Sequence, residues 1–188
     1  MLSGIGPRAH LEEMGIEVRK EIEGVGVGLQ DHPAVVVSYG CKKAVSVTDE
    51  LKVPGTGITN PVTLLRWLLW KRGAFTSVAC EWGGFFRTAE TLSQPDLQVR
   101  FVAARATSAD GISTLQKLGG GEVFRPGFTT QIVACRPSSA GRVRLRSADP
   151  MAKPIIEGVH LSDDADVQTL REGIKLGRKL CNARAFDE

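Results

Sequence analysis

The sequence predicts an α+β fold, an antiparallel β-sheet with flanking helices. Three observations carry this. Apolar or alternating runs of strand length recur at 34–41, 83–87, 97–104, 129–136 and 141–146. Two other stretches, 60–72 and 162–181, keep helical spacing instead. The chain has 188 residues, 42% hydrophobic and 24% charged, which is enough apolar material for a real core.

Each element has its local reason. Pro7 suits the first turn of a short helix and Gly15 its stop, with Leu11 and Met14 facing inward. Residues 16–22 alternate apolar and charged side chains, as a half-exposed strand does. Residues 34–41 form a continuous β-branched run, read as a buried strand. From 42 to 59 the pattern dissolves, and Pro54, Gly55 and Gly57 mark a surface segment. Asn60-Pro61 is a cap followed by proline at the first helical position. The helix it opens carries Val62, Leu64, Leu65, Trp67, Leu68, Leu69 and Trp70, and Gly73 ends it. Such an all-round apolar helix is read as buried or at an interface, with a peripheral membrane contact through 60–72 as the alternative. Gly119-Gly120-Gly121 is a connector, because it lacks the lysine and the strand–helix setting of a phosphate loop. Ser162-Asp163-Asp164 caps the last helix, whose Val167, Leu170, Ile174, Gly177 and Cys181 lie along one face.

The totals exclude several classes. A net charge of +3 with scattered basic residues does not predict nucleic-acid binding. Arg142-Val143-Arg144-Leu145-Arg146 is read as a strand with one solvated basic face. Cys41, Cys80, Cys135 and Cys181 lie far apart, without a C-x-x-C or a histidine at ligand spacing, so no metal site is expected and the thiols are read as reduced. No apolar run is long enough to span a bilayer.

The chemistry-bearing stretch is Gly24-Val25-Gly26-Val27-Gly28-Leu29-Gln30-Asp31-His32-Pro33, whose alternate glycines free the backbone for positive φ and close approach. Taken alone it is equally an ordinary glycine-rich turn. With Leu2-Ser3-Gly4-Ile5-Gly6-Pro7 just upstream, it resembles the glucose–methanol–choline (GMC) flavoenzymes, in which such a loop passes close to FAD. Gly28 stands where that family usually has asparagine. Pro95-Asp96-Leu97-Gln98, the run 141–150 and Pro154-Ile155-Ile156 extend the similarity along the chain.

The resemblance implies a division into an FAD-proximal region, 1–33, and a substrate-binding domain, 34–188. FAD is the implied cofactor, and Gly26, Leu29, Asp31 and His32 are the implied cofactor contacts. The dinucleotide fingerprint G-x-G-x-x-G does not occur in the chain. It is expected upstream of Met1, and the family's catalytic histidine downstream of Glu188, so the chain reads as an internal piece that is inactive alone. His10 and His160 are read as structural or exposed.

Cys80, within Ala79-Cys80-Glu81-Trp82-Gly83-Gly84-Phe85, and Arg100, within Leu97-Gln98-Val99-Arg100-Phe101, resemble the algal fatty acid photodecarboxylase branch. So do Asp110-Gly111-Ile112-Ser113-Thr114 and Pro126-Gly127-Phe128-Thr129-Thr130-Gln131. The implied catalytic residues are Cys80 and Arg100. The implied substrate contacts are those two with Gly111, Leu115 and Gln131. Leu115 replaces the branch's tyrosine, which removes a polar group from the substrate side. The residue types suit the chemistry, since a carboxylate entering an apolar tunnel needs a cation or polar donors at its end. Taken singly, Cys80 also reads as a small buried hydrophobe and Arg100 as half of a surface ion pair.

Three functions follow. The first is a light-driven decarboxylase turning a long-chain fatty acid into an alkane or alkene plus CO2, with a chloroplast location. The second is an FAD-dependent alcohol or choline-type dehydrogenase or oxidase acting on a primary alcohol. The third is a non-catalytic lipid-binding domain.

Overall fold

The computed structural model describes residues 1–53, 56–77, 80–106, 126–158 and 160–186. The chain separates into two compact units: 1–33 with 136–167, and 34–135 with 168–188. Within 34–188, residues 136–167 fall in the first unit and the rest in the second. Residues 136–167 join the N-terminal unit because β8 (Gly141–Arg144) pairs with β3 (Val27–Leu29).

The first unit is built from small ladders. β1 (Ile5–Gly6) pairs in parallel with β2 (Lys20–Glu21), and between them runs α1 (Arg8–Glu13). Leu11 on α1 is fully buried, Met14 is half-buried, and Gly15 at φ +69° turns the chain out of the helix. The strand expected over 16–22 is only the two residues of β2, since alternation without a long partner cannot hold a ladder. β8 is the middle strand of a three-stranded sheet, between β3 and β9 (Ile155–Glu157).

The second unit holds a four-stranded antiparallel sheet in the order β4 (Ala34–Gly40), β7 (Gly127–Ala134), β6 (Leu97–Val102), β5 (Trp82–Phe86). α4 (Asp164–Cys181) begins in the first unit and supplies Leu170 to the core of the second. That core is Leu97, Val99, Ile132, Ala134 and Leu170, with Val35, Val37, Phe86, Ile174 and Leu176 packed around it. The sheet residues among these occupy alternate positions on β4, β5, β6 and β7, so they share one face of the sheet. β4 is half-exposed rather than buried, because it is an edge strand of this sheet.

The closest approach of helix to sheet is at Gly173. A methyl group there would collide with Ile132 and stand 2.8 Å from Leu97 Cδ1. Glycine costs a helix about 1 kcal/mol relative to alanine. That cost is accepted here because any side chain would push α4 off the sheet.

Two elements lie in the patternless stretch 42–59. α2 (Val47–Leu51) is opened by a capping box: Ser46 Oγ bonds the Asp49 carboxylate, which also accepts the Ser46 N–H at 2.9 Å. Lys52 bridges Thr59. α3 (Pro61–Trp70) starts as expected, with Asn60 Oδ1 accepting from Val62 N at 3.0 Å and Thr63 N at 3.5 Å. It ends on Lys71 in the left-handed region, two residues before Gly73. The expected burial of this helix is not provided by the described residues. Only Thr63 is buried, while Leu65, Leu69 and Trp70 are 54–63% exposed. Among the described residues no helix is long and apolar enough to cross a membrane.

The N-terminus of α4 is held by Asp163 and Asp166. Asp163 Oδ1 accepts from Ala165 N at 2.8 Å. Asp166 is 3% exposed and accepts from Ser138 N at 2.7 Å and Ser139 N at 2.9 Å. Burial pushes its carboxyl up. The Ser139 hydroxyl and the two backbone N–H groups together outweigh that and hold it below the ordinary aspartate range.

Two predictions follow from this packing. Gly173→Leu overpacks the contact with Ile132 and Leu97 and should cost about 1–3 kcal/mol, read as a Tm lower by several degrees; an unchanged Tm contradicts the contact. Because the folded pKa of Asp166 is depressed, its contribution is complete above the unfolded value of about 4 and is lost as pH falls through the folded one. Asp166→Asn should therefore be less stable than the parent by about 1–3 kcal/mol at pH 7. In denaturant titrations that gap should narrow by pH 3, and a gap independent of pH contradicts the assignment.

Candidate functional site

The face of the four-stranded sheet opposite the core carries the polar cluster. Leu97 and Val99 are 1% and 5% exposed on the core side, so strand alternation turns Gln98 and Arg100 the other way. Register places Arg100 opposite Gln131 on β7 and Gly83 on β5. The glycine puts no side chain beside the guanidinium. A Cβ at Gly83 would stand 2.7 Å from Val99 O, so β5 packs too closely on β6 for anything larger.

The Arg100 guanidinium is held by two neutral amides. Its Nε donates to Gln98 Oε1 at 2.9 Å, and Nη1 donates to Gln131 Oε1 at 3.4 Å. Among the described residues no carboxylate lies within ion-pair distance of it. Arginine keeps its charge at any working pH, so this half-buried cation is oriented without being neutralised. Around it on the same face stand half-buried Val36 and Val102 and exposed Phe85, giving a charged centre with apolar flanks. The reading of Arg100 as half of a surface ion pair does not describe this environment.

Cys80 lies two residues before β5 and outside its ladder. It is half-buried, and no hydrogen bond joins it to Arg100. None of the four cysteines forms a disulfide among the described residues. Burial pushes the Cys181 thiol up, against a smaller opposing effect of its hydrogen bond with Thr130. Gly111 and Leu115 lie outside the described residues. Two cavities of about 380 and 150 Å³ open on the core side of the sheet, around Tyr39, Cys41 and Phe128 and around Phe86, Phe101 and Leu180. Neither is lined by Arg100, Gln131 or Cys80.

The glycine loop is a strand at the edge of the first unit's sheet. Gly26, at φ +87°, is committed to packing: a Cβ would strike Val143 O, and its own carbonyl accepts from Val143 N at 2.7 Å. Gly28 is different. It has φ +76° and nothing within 4 Å of an added Cβ, and Val27 and Leu29 beside it are 65% and 37% exposed. Backbone this open leaves room for a partner at close range. Asp31 Oδ1 caps the N–H of His32 at 2.8 Å, both side chains being exposed, and Gln30 ties the loop to Pro137 O at 2.7 Å. These residues fit one wall of a cofactor site rather than a whole one.

His10 is structural. Its Nε2 accepts from Leu145 N at 3.0 Å, and its Nδ1 lies 3.3 Å from Glu13 Oε2 and 3.2 Å from Arg144 Nη2. Arg144 also reaches that carboxylate at 3.3 Å, and Arg142 pairs with Glu157. The expected basic face of β8 is therefore largely paired. Gln98 is the residue that motif matching passed over. The signal for it was its position two residues before Arg100 on one strand.

Residues 137–188 match the family model for GMC oxidoreductase. The chain is 39% identical over 187 residues to a chloroplastic fatty acid photodecarboxylase of Chlamydomonas reinhardtii, covering 96% of this chain and 30% of that protein. It is 36% identical over 186 residues to oxygen-dependent choline dehydrogenase 1 of Chromohalobacter salexigens, covering 99% of this chain and 31% of that protein. A solved structure of a formate oxidase variant of Aspergillus oryzae RIB40, bearing on FAD modification, superposes with a TM-score of 0.81 at 25% identity, covering 99% of this chain and 35% of that one. The chain thus spans about a third of the length of the relatives it matches. With residues 137–188 matching the family model and its relatives extending over nearly all of its length, the chain is similar throughout to GMC oxidoreductases.

Proposed function

We propose that this chain is the substrate-binding part of an FAD-dependent fatty acid photodecarboxylase, with a plastid location as in the chloroplastic relative. The observation that carries the reading is Arg100, a cation fixed by two uncharged amides and without a carboxylate partner among the described residues. Such a group suits an anionic substrate head. Val36, Val102 and Phe85 beside it suit an alkyl chain. A choline-type substrate brings a second positive charge to the same place, which costs about 1–4 kcal/mol at 4 Å across effective dielectrics from water to a protein surface.

In this reading Arg100 receives the carboxylate with its Nη hydrogens, and Gln131 lies beside the guanidinium at 3.4 Å. Leu29, Asp31 and His32, on the loop shaped by Gly26 and Gly28, form the wall that meets the FAD. When bound, FAD supplies the light-driven one-electron oxidation of the carboxylate. The C–C bond to the carboxyl carbon then breaks and CO2 leaves. The alkyl fragment regains one electron and one proton, so the net change is RCOO⁻ + H⁺ → RH + CO2. Cys80 is assigned as the local proton donor, the electron being the one first taken from the carboxylate and returned, with Gly111 and Leu115 as further substrate contacts. Leucine at 115 offers no hydrogen bond there, which leaves Arg100 and Gln131 to orient the head group.

The second reading is an alcohol dehydrogenase or oxidase, favoured by the choline dehydrogenase relatives. The two part on Arg100. In the complete enzyme under blue light, Arg100→Lys keeps the charge but loses the planar fork. Alkane formation from a long-chain fatty acid, followed by gas chromatography, should fall about 10- to 100-fold, the worth of a charge-assisted hydrogen bond. Unchanged light-driven turnover, or flavin reduction by a primary alcohol with none by light and fatty acid, returns the reading to alcohol oxidation.

A further inference from the structure

The contacts of Arg100 are unequal. Gln98 Oε1 sits 2.9 Å from Nε, whereas Gln131 Oε1 is 3.4 Å from Nη1, near the limit of a hydrogen bond. Gln98 is thus the group that sets the plane and heading of the guanidinium. Of the five N–H donors of an arginine, Gln98 takes the one on Nε and Gln131 takes one on Nη1. Among the described residues no hydrogen bond takes the two hydrogens on Nη2 or the second one on Nη1. A glutamate at position 98 has the same reach and the same acceptor, but it would form an ion pair and spend the charge.

We propose that Gln98 is a specificity-determining residue, whose neutral amide orients the Arg100 guanidinium without discharging it and so makes the site select a carboxylate over the corresponding alcohol. The proposal rests on the reading above, in which Arg100 meets the substrate head group. It adds that the amide at position 98, in place of an acid of the same shape, separates an acid-using site from an alcohol-using one.

The test is equilibrium binding to the complete enzyme in the dark, by calorimetry, with dodecanoate and dodecan-1-ol as the two probes. The parent should prefer dodecanoate. Gln98→Glu, which barely changes volume, should weaken dodecanoate about tenfold or more while leaving dodecan-1-ol within about twofold of the parent. Gln98→Met keeps the charge of Arg100 but loses the acceptor, and should weaken dodecanoate less than Gln98→Glu does. A ratio of the two affinities unchanged in Gln98→Glu overturns the proposal, as does an equal loss for both probes, which is the mark of a merely structural residue. Arg100→Leu separates this from the underlying reading. If the parent prefers dodecanoate and Arg100→Leu abolishes the preference while Gln98→Glu does not, only the role of Gln98 falls. If the parent shows no preference, the assignment of Arg100 to the substrate falls, and this proposal with it.

Discussion

The contact between α4 and the four-stranded sheet decides where every side chain on that sheet points. Because Gly173 lets the helix lie against Ile132 and Leu97, one face of β6 and β7 is sealed. The alternation of a strand has no freedom left once one face is assigned. A shift of one residue in β6 would bring Arg100 into the core and expose Leu97 and Val99, exchanging about 1.5–3 kcal/mol per apolar side chain for a buried charge. The chemistry on the outer face is therefore set by apolar packing on the inner one. Gly83 extends the same logic to β5: its close approach to Val99 O holds the edge strand tight and leaves the space beside Arg100 without a side chain.

The two candidate regions use different physics. On the sheet, the functional feature is a charge held by dipoles that cannot neutralise it. A half-buried cation with no counter-ion among the described residues is costly to a folded protein, and a site that receives an anion is a physical reason to keep one. On the glycine loop, the feature is backbone exposure. Gly26 is consumed by packing on Val143, and that contact fixes the loop so that Gly28 can present open backbone two residues later. The two lie in separate compact units, and each is complete in its own local geometry.

Much of this was legible in the residues. The strand runs, the Asn60-Pro61 start, the Ser162-Asp163-Asp164 cap and the antiparallel α+β character all rest on local chemistry, and local chemistry is what a sequence displays. The pairing of β3 with β8 was hidden, because nothing in either segment announces a partner more than a hundred residues away. α2 was hidden because its capping box is followed by only one turn of helix, too short to set up a period. Burial was misjudged where composition and neighbourhood disagree. Residues 34–41 look buried but form an edge strand, and α3 looks buried but faces outward among the described residues. At the site, Arg100 and Gln131 came from motif resemblance, and the structure brings them together. The resemblance also joined Cys80 to them, and the structure shows no hydrogen bond making that link. Gln98 needed the structure, since a glutamine beside an arginine becomes informative only once its carbonyl is seen to hold the guanidinium.

The proposed role of Arg100 is to receive a carboxylate as an oriented cation with no carboxylate partner among the described residues. The most direct measurement is a crystal structure of the complete protein with a long-chain carboxylate bound, obtained in the dark. The account predicts a carboxylate oxygen at about 2.7–2.9 Å from Arg100 Nη2, with Gln98 still on Nε. A carboxylate seated elsewhere, or Arg100 paired with an acidic side chain supplied by another part of the protein, would contradict it.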